Sequence, residues 1–406
     1  MAVEFERATL ENGLTIVAEV DTGAHSSACG FFVKTGARDE SADMMGVSHF
    51  LEHMMFKGTA RRSAEDVNRE FDEIGARHNA FTSSEMTVFY AQVLPERLGD
   101  AVDLLSDMLR PALREEDFTV EKNVILEEIA MYKDQPFWVL YERVAQERYG
   151  AHPLGHRVLG TTETVGALSV DQMRAYFGAR YSADNTVVAF AGNLDFSRCV
   201  EEISARCGSW ARTGAGRETS TPTVRPSRFT QKDERVHRCY QLALAPAPGA
   251  QDEARYAASM LALALGDPDN GRLYWALVEP GLADEAHVSY EGHDHAGDWV
   301  VYVSSDAERA DEVWEIAQRE LTAAADAVTG EDLERLRNKV ATAATVAGER
   351  PGGRMQRLGR QWTYFGEYRS LEEELARIDA VTRADVRAVA QEWPLAAVAL
   401  GRLGPA

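Results

Sequence analysis

Apolar positions recur along this chain with two periods, and the switches between them mark its elements. Alternation with β-branched and aromatic residues reads as strand over residues 14–19, after an Asn12-Gly13 turn, and again over residues 79–94 through Phe81, Met86, Val88, Tyr90 and Val93. A run of small residues ending in Phe31-Phe32-Val33-Lys34 is expected to pair with the 14–19 strand. The short run Val187-Val188-Ala189-Phe190-Ala191, bounded by Asn185 and Gly192, fits a buried strand. Helical spacing occupies residues 43–56, where Val47, Leu51, Met54 and Met55 are apolar, Asp43 can cap the start and Gly58 follows the end. Two further helical stretches cover residues 95–109 and 115–132, the second with Val124, Ile125 and Ile129 on a core-like face.

Residues 211–229 hold Gly214, Gly216, Pro222 and Pro226 and no periodic apolar face, as a linker would. The expected division is a first domain over 1–210 and a second over 230–406. The second reads as strand (237–245), Ala/Leu-rich helix (252–265), strand (300–304) and two helices (311–325 and 331–346), the element order of the first. Residues 116–136 can be laid on 331–351 without a gap, both acidic-capped helices ending before a proline. Glu121 then falls opposite Leu336 and Glu128 opposite Ala343. The fold class expected is α+β, with two homologous α/β-sandwich halves, each an antiparallel-rich sheet covered by helices.

Size and charge narrow the picture. A chain of 406 residues exceeds what one hydrophobic core usually organises. A formal charge of −22 disfavours nucleic acid and anionic lipid as partners. The chain opens without a basic leader, and no stretch approaches the roughly 20 apolar residues of a membrane span, so a cytoplasmic protein without membrane contact is expected. Cys29, Cys199, Cys207 and Cys239 show no CxxC spacing, which suits free thiols in a reducing compartment and speaks against cysteine ligation of zinc.

The candidate chemistry begins with His49, Glu52 and His53. Residues three and four apart share a helix face, so two imidazoles one turn apart can grip one ion while the carboxylate stands beside it. His-x-x-Glu-His is the inverted zinc signature, with the glutamate as general base. The competing reading is a helix with two incidental histidines. A catalytic zinc needs a third protein ligand, and the apolar run Val124-Ile125-Leu126 is flanked by Glu121, Glu127 and Glu128. Glu121 and Glu128 lie two turns apart on one face, although most helical glutamates are merely solvated or paired with a base.

With His49-Phe50-Leu51-Glu52-His53, Phe56-Lys57-Gly58-Thr59, Asn79-Ala80-Phe81-Thr82-Ser83 and the 121–128 segment, the chain resembles the pitrilysin-type (M16) zinc peptidases, most nearly the small bacterial members related to the mitochondrial processing peptidase. His152-Pro153-Leu154-Gly155, Leu159-Gly160, Tyr181 and Asn185 extend the likeness. The resemblance implies that His49, His53 and Glu128 bind Zn2+, that Glu52 is the base and Glu121 a carboxylate behind the ligands, with Glu127 the near-miss. It implies that Asn79, Ala80 and Phe81 form the edge strand that pairs with an extended peptide substrate, in a molecule forming half of a clamshell chamber.

One departure stands out. Family members carry an Arg and a Tyr seven apart in the second half, where this chain reads Leu277-Val278-Glu279-Pro280-Gly281-Leu282-Ala283-Asp284. The reading is therefore a zinc endopeptidase acting on short or unfolded peptides, as a heterodimer with a homologue supplying Arg and Tyr, with a homodimer as the other pairing. Arg272 and Tyr274 are weaker substitutes. Removal of a leader from one precursor, or a non-catalytic scaffold role, are the alternatives. His293-Asp294-His295 reads as a solvated loop and Gly352-Gly353-Arg354 as a turn into a helix.

Overall fold

The structure, a computed structural model, describes every residue except Met1, Ala2, Val224, Ala327 and Ala397. It divides into two compact units: Met1–Ile129 with His156–Glu218 and Thr345–Arg369, and Ala130–Gly155 with Thr219–Ala344 and Ser370–Ala406.

The first unit is built on a six-stranded sheet of β1 (Glu4–Thr9), β2 (Thr15–Val20), β3 (Ser27–Val33), β4 (Arg77–Thr82), β5 (Thr87–Val93) and β6 (Thr186–Gly192), in the order β1-β2-β6-β3-β5-β4. The expected pairing of β2 with β3 does not occur. β6 lies between them, parallel to β2 and antiparallel to β3. A continuous apolar run has no polar face to offer solvent, so it takes a central position. β3 is buried at all seven residues for the same reason. Its Cys29, Phe31 and Val33 enter one core, while Ala28 and Phe32 enter another with Met355 and Leu358 of the helix Pro351–Phe365. Residues 79–94 make a hairpin rather than one strand: the amide of Ser83 donates to the Met86 carbonyl at 2.9 Å and the Ser83 hydroxyl accepts from the Met86 amide at 3.1 Å.

The second unit carries β7 (Ser227–Lys232), β8 (Cys239–Pro246), β9 (Ala283–His293), β10 (Ala296–Ser305) and β11 (Ala399–Gly404), in the order β7-β11-β8-β10-β9. β7 is parallel to β11, and the other three pairings are antiparallel. This is the pattern of β2-β6-β3-β5-β4, so the sheets match strand for strand and β1 is extra. His293 ends β9 and His295 sits in the hairpin turn before β10.

The matched long helices are Glu115–Tyr132 and Gly330–Gly348. The helix after each belongs to a different unit from most of the long helix before it and packs on the sheet of its own unit. Pro136–Tyr149 belongs to the second unit and places Leu140 and Val144 against Leu242, Leu244 and Leu403, whereas Pro351–Phe365 covers β2, β3 and β6 of the first. Residues 211–226 form no helix or strand among those described, yet Arg217 is fixed within the first unit by two bonds to Asp39, at 3.0 and 2.7 Å.

Candidate metal centre

The histidines stand on the helix Val47–Met55, shorter at its start than residues 43–56. Asp43 lies in a separate 3-10 turn, Ala42–Met44, and does not cap the helix. Gly46 occupies the cap position with φ of 97°, and an added Cβ there would come within 2.6 Å of the Leu159 carbonyl oxygen. The open amides are met by Glu40, whose two carboxylate oxygens accept from Gly46 and Ser48 at 2.7 Å each. One face of this helix enters the core through Val47, Phe50, Leu51 and Met54. His49, Glu52 and His53 are left together on the adjoining face.

The helix Glu115–Tyr132 buries Phe118, Glu121, Ile125 and Ile129. Val124, read as part of that face, is instead 42% exposed, because the 118-121-125-129 stripe leaves it a third of a turn outside. Glu127 points to solvent and Glu128 is half-buried. Glu128 faces the histidines and Glu127 does not.

Among the described residues, His49, His53 and Glu128 offer ligand atoms that all lie within 4.8 Å of one another. Glu128 Oε2 is 3.8 Å from His49 Nε2 and 3.7 Å from His53 Nε2. These separations are too long for hydrogen bonds and slightly exceed the roughly 3.3 Å edge of a tetrahedron with ligands about 2 Å from its centre. The donor set of two imidazoles and a carboxylate suits zinc. His53 Nδ1 bonds Glu121 Oε1 at 2.8 Å, a partner that places the proton on Nδ1 and leaves the Nε2 lone pair facing Glu128. Burial, with His53 nearby, pushes the His49 pKa down to about 3, so this imidazole stays neutral and able to ligate.

Glu52 lies beside this cradle. Thr82, the last residue of β4, donates to Glu52 Oε2 at 2.6 Å. Burial raises the Glu52 pKa, opposed by the Thr82 bond and by His53. Among the described residues, β4 is the edge of its sheet, with β5 as its partner. Along it Ala80 joins the core beneath the histidine helix, Phe81 packs on the opposite side and Asn79 is exposed, its Oδ1 accepting from the Ala80 amide at 2.9 Å. Thr82, Glu40 and Lys57, whose ammonium lies 2.6 Å from Glu121 Oε2, are the neighbours of this group that sequence reasoning missed. Thr82 and Lys57 stood inside quoted motifs without a role, and Glu40 lies outside the helix it caps.

Two family descriptions match this geometry's bearer: insulinase (peptidase family M16) over residues 15–162, and peptidase M16 inactive domain over residues 167–340. The chain belongs to peptidase family M16. An uncharacterized zinc protease of Streptomyces coelicolor is 34% identical to this M16 chain over 98% of it and 89% of the relative. Another, from Bacillus subtilis, is 31% identical over 98% of each chain. Among solved structures, a protease from Helicobacter pylori superposes with a TM-score of 0.91 at 18% identity, covering 99% of both chains, a likeness of fold. The inactive-domain match of this M16 protein ends at residue 340, inside the helix Gly330–Gly348, and takes in Leu336, which the ungapped match sets opposite Glu121. No helix among the described residues is long and apolar enough to cross a membrane.

Proposed function

We propose that this chain is the zinc-bearing subunit of an endopeptidase that cleaves short or unfolded peptides. The observation that carries the reading is the convergence of His49, His53 and Glu128, from two helices far apart in sequence, on one point beside Glu52. Bound there, zinc would supply the Lewis acidity that activates water and polarises a peptide carbonyl.

The protein's own groups do the rest. Glu121 orients His53, and Glu128 faces both imidazoles. Glu52 has Oε2 held by Thr82, and no hydrogen bond reaches its Oε1 among the described residues. Oε1 takes a proton from the attacking water and returns it to the leaving amine. An extended substrate adds to the free edge of β4 along Asn79, Ala80 and Phe81, which presents its backbone bond to Glu52. Residues 277–284 hold neither Arg nor Tyr, so a homologous partner chain completes the site.

Glu52→Gln tests the assignment. Cleavage of an unstructured peptide should fall by about a thousandfold with zinc content unchanged, whereas Glu128→Gln should lower zinc content itself. Equal zinc loss in both variants would overturn the roles, and a zinc-loaded chain that cleaves nothing even beside its homologue would overturn the peptidase reading.

A further inference from the structure

The segment that ends the histidine helix is built more firmly than a helix end requires. Gly58 takes φ of 97°, where an added Cβ would lie 2.6 Å from the Arg62 carbonyl oxygen. The Gly58 carbonyl accepts from the Ala112 amide at 3.0 Å. Arg114 donates to the carbonyls of Lys57 at 3.2 Å and Thr59 at 2.9 Å. Residues 57–59 are thus stapled to residues 112–114, immediately before the helix Glu115–Tyr132. The staple fixes the Lys57 backbone relative to the helix that carries Glu121.

From that position the Lys57 ammonium reaches Glu121 Oε2 at 2.6 Å, while Glu121 Oε1 holds His53 Nδ1 at 2.8 Å. The Glu121 side chain is only 5% exposed. A carboxylate so far from water needs both oxygens partnered and its charge compensated, and the imidazole N–H meets only half of that need. Without the ammonium, the carboxylate can turn away from His53 or leave it loosely held.

We propose that Lys57 is a positioning residue of the metal centre, acting through Glu121 to fix the orientation of the His53 ring. The inference rests on the zinc reading above. The Lys57 ammonium is paired with Glu121 and not with His49, His53 or Glu128 among the described contacts, and its side chain is 35% exposed, so its replacement leaves the core intact.

The test is zinc affinity, measured by titrating metal-free protein against a competing chelating dye. Lys57→Met should weaken binding about tenfold, the low end of what partners behind a ligand contribute, and lower kcat with KM unchanged. The melting curve of the metal-free protein should stay in place, and Lys57→Arg, which restores a cation to the same carboxylate, should hold zinc within about threefold of wild type. If Lys57→Met shifts the metal-free melting curve, the comparison is made with Lys57→Gln, where wild-type affinity would overturn the proposal. Wild-type affinity in Lys57→Met, or Lys57→Arg as weak as Lys57→Met, would overturn it too. Wild-type protein that takes up no zinc would instead sink the zinc reading and this inference together.

Discussion

The strands β2-β6-β3-β5-β4 of the first unit and β7-β11-β8-β10-β9 of the second share one pairing pattern, and their helices carry different chemistry. Between β3 and β4 stands the helix with His49, Glu52 and His53. Between β8 and β9 stands Arg255–Gly266, an Ala/Leu-rich helix with no histidine or carboxylate, packed through Ala258, Leu261 and Leu265. The second long helix repeats the divergence: Leu336 is fully buried where the first unit has Glu121, and Ala343 is exposed where it has Glu128. The second unit has none of the candidate ligands and the same strand pairing, since in the first unit those side chains lie on helix faces outside the sheet. The second sheet keeps the pairing pattern of the first without the His-His-Glu group.

Restoring the carboxylates should expose that asymmetry. Leu336→Glu places a charge in an apolar core and should cost about 3 kcal/mol or more, read as a lower denaturation midpoint. Ala343→Glu, on an exposed helical position, should stay within about 0.5 kcal/mol. The double variant should bind no additional zinc, since the imidazoles are missing. Extra zinc per chain would show that the second unit retains a latent site.

The exchanged helices offer a finer comparison. An added Cβ at Gly359 would lie 2.1 Å from the buried ring of Phe32, and one at Gly401 would lie 2.5 Å from Phe229 and 2.6 Å from Val144. Gly359→Ala should destabilise the first unit and Gly401→Ala the second, each by about 1–2 kcal/mol after overpacking is offset by the gain in backbone propensity. Hydrogen exchange resolves the units separately. Equal loosening of both by either substitution would show that the helices do not belong to single units.

The smallest effect concerns the thiols. Burial pushes Cys199 and Cys207 up to about 12, and also raises Cys29 and Cys239. A raised pKa means less thiolate at any pH below it, so a disulfide reagent at pH 8 should react with the native chain far more slowly than with the unfolded one. Native-state labelling as fast as that of the unfolded chain would contradict the burial.

Much of this was legible beforehand, for identifiable reasons. His49, Glu52 and His53 lie within five residues, so their shared face follows from helical geometry alone. The ungapped match of the two long helices survived because both keep an acidic start and a proline after the end. Glu128 could not be separated from Glu127 by periodicity, since the choice depends on where another helix lies. β6 between β2 and β3 was hidden because an apolar run reports burial and not neighbours. Glu40 escaped because a 3-10 turn separates it from the helix it caps. The helix exchange left no local trace: Leu140 and Val144 would suit either sheet.

Zinc stoichiometry tests the central claim most directly. Metal-free protein titrated with zinc should bind one tight equivalent per chain, and His53→Ala should abolish that binding while Leu336 and Ala343 variants leave it untouched. Two tight equivalents per chain, or one that survives His53→Ala, would contradict a single centre at His49, His53 and Glu128.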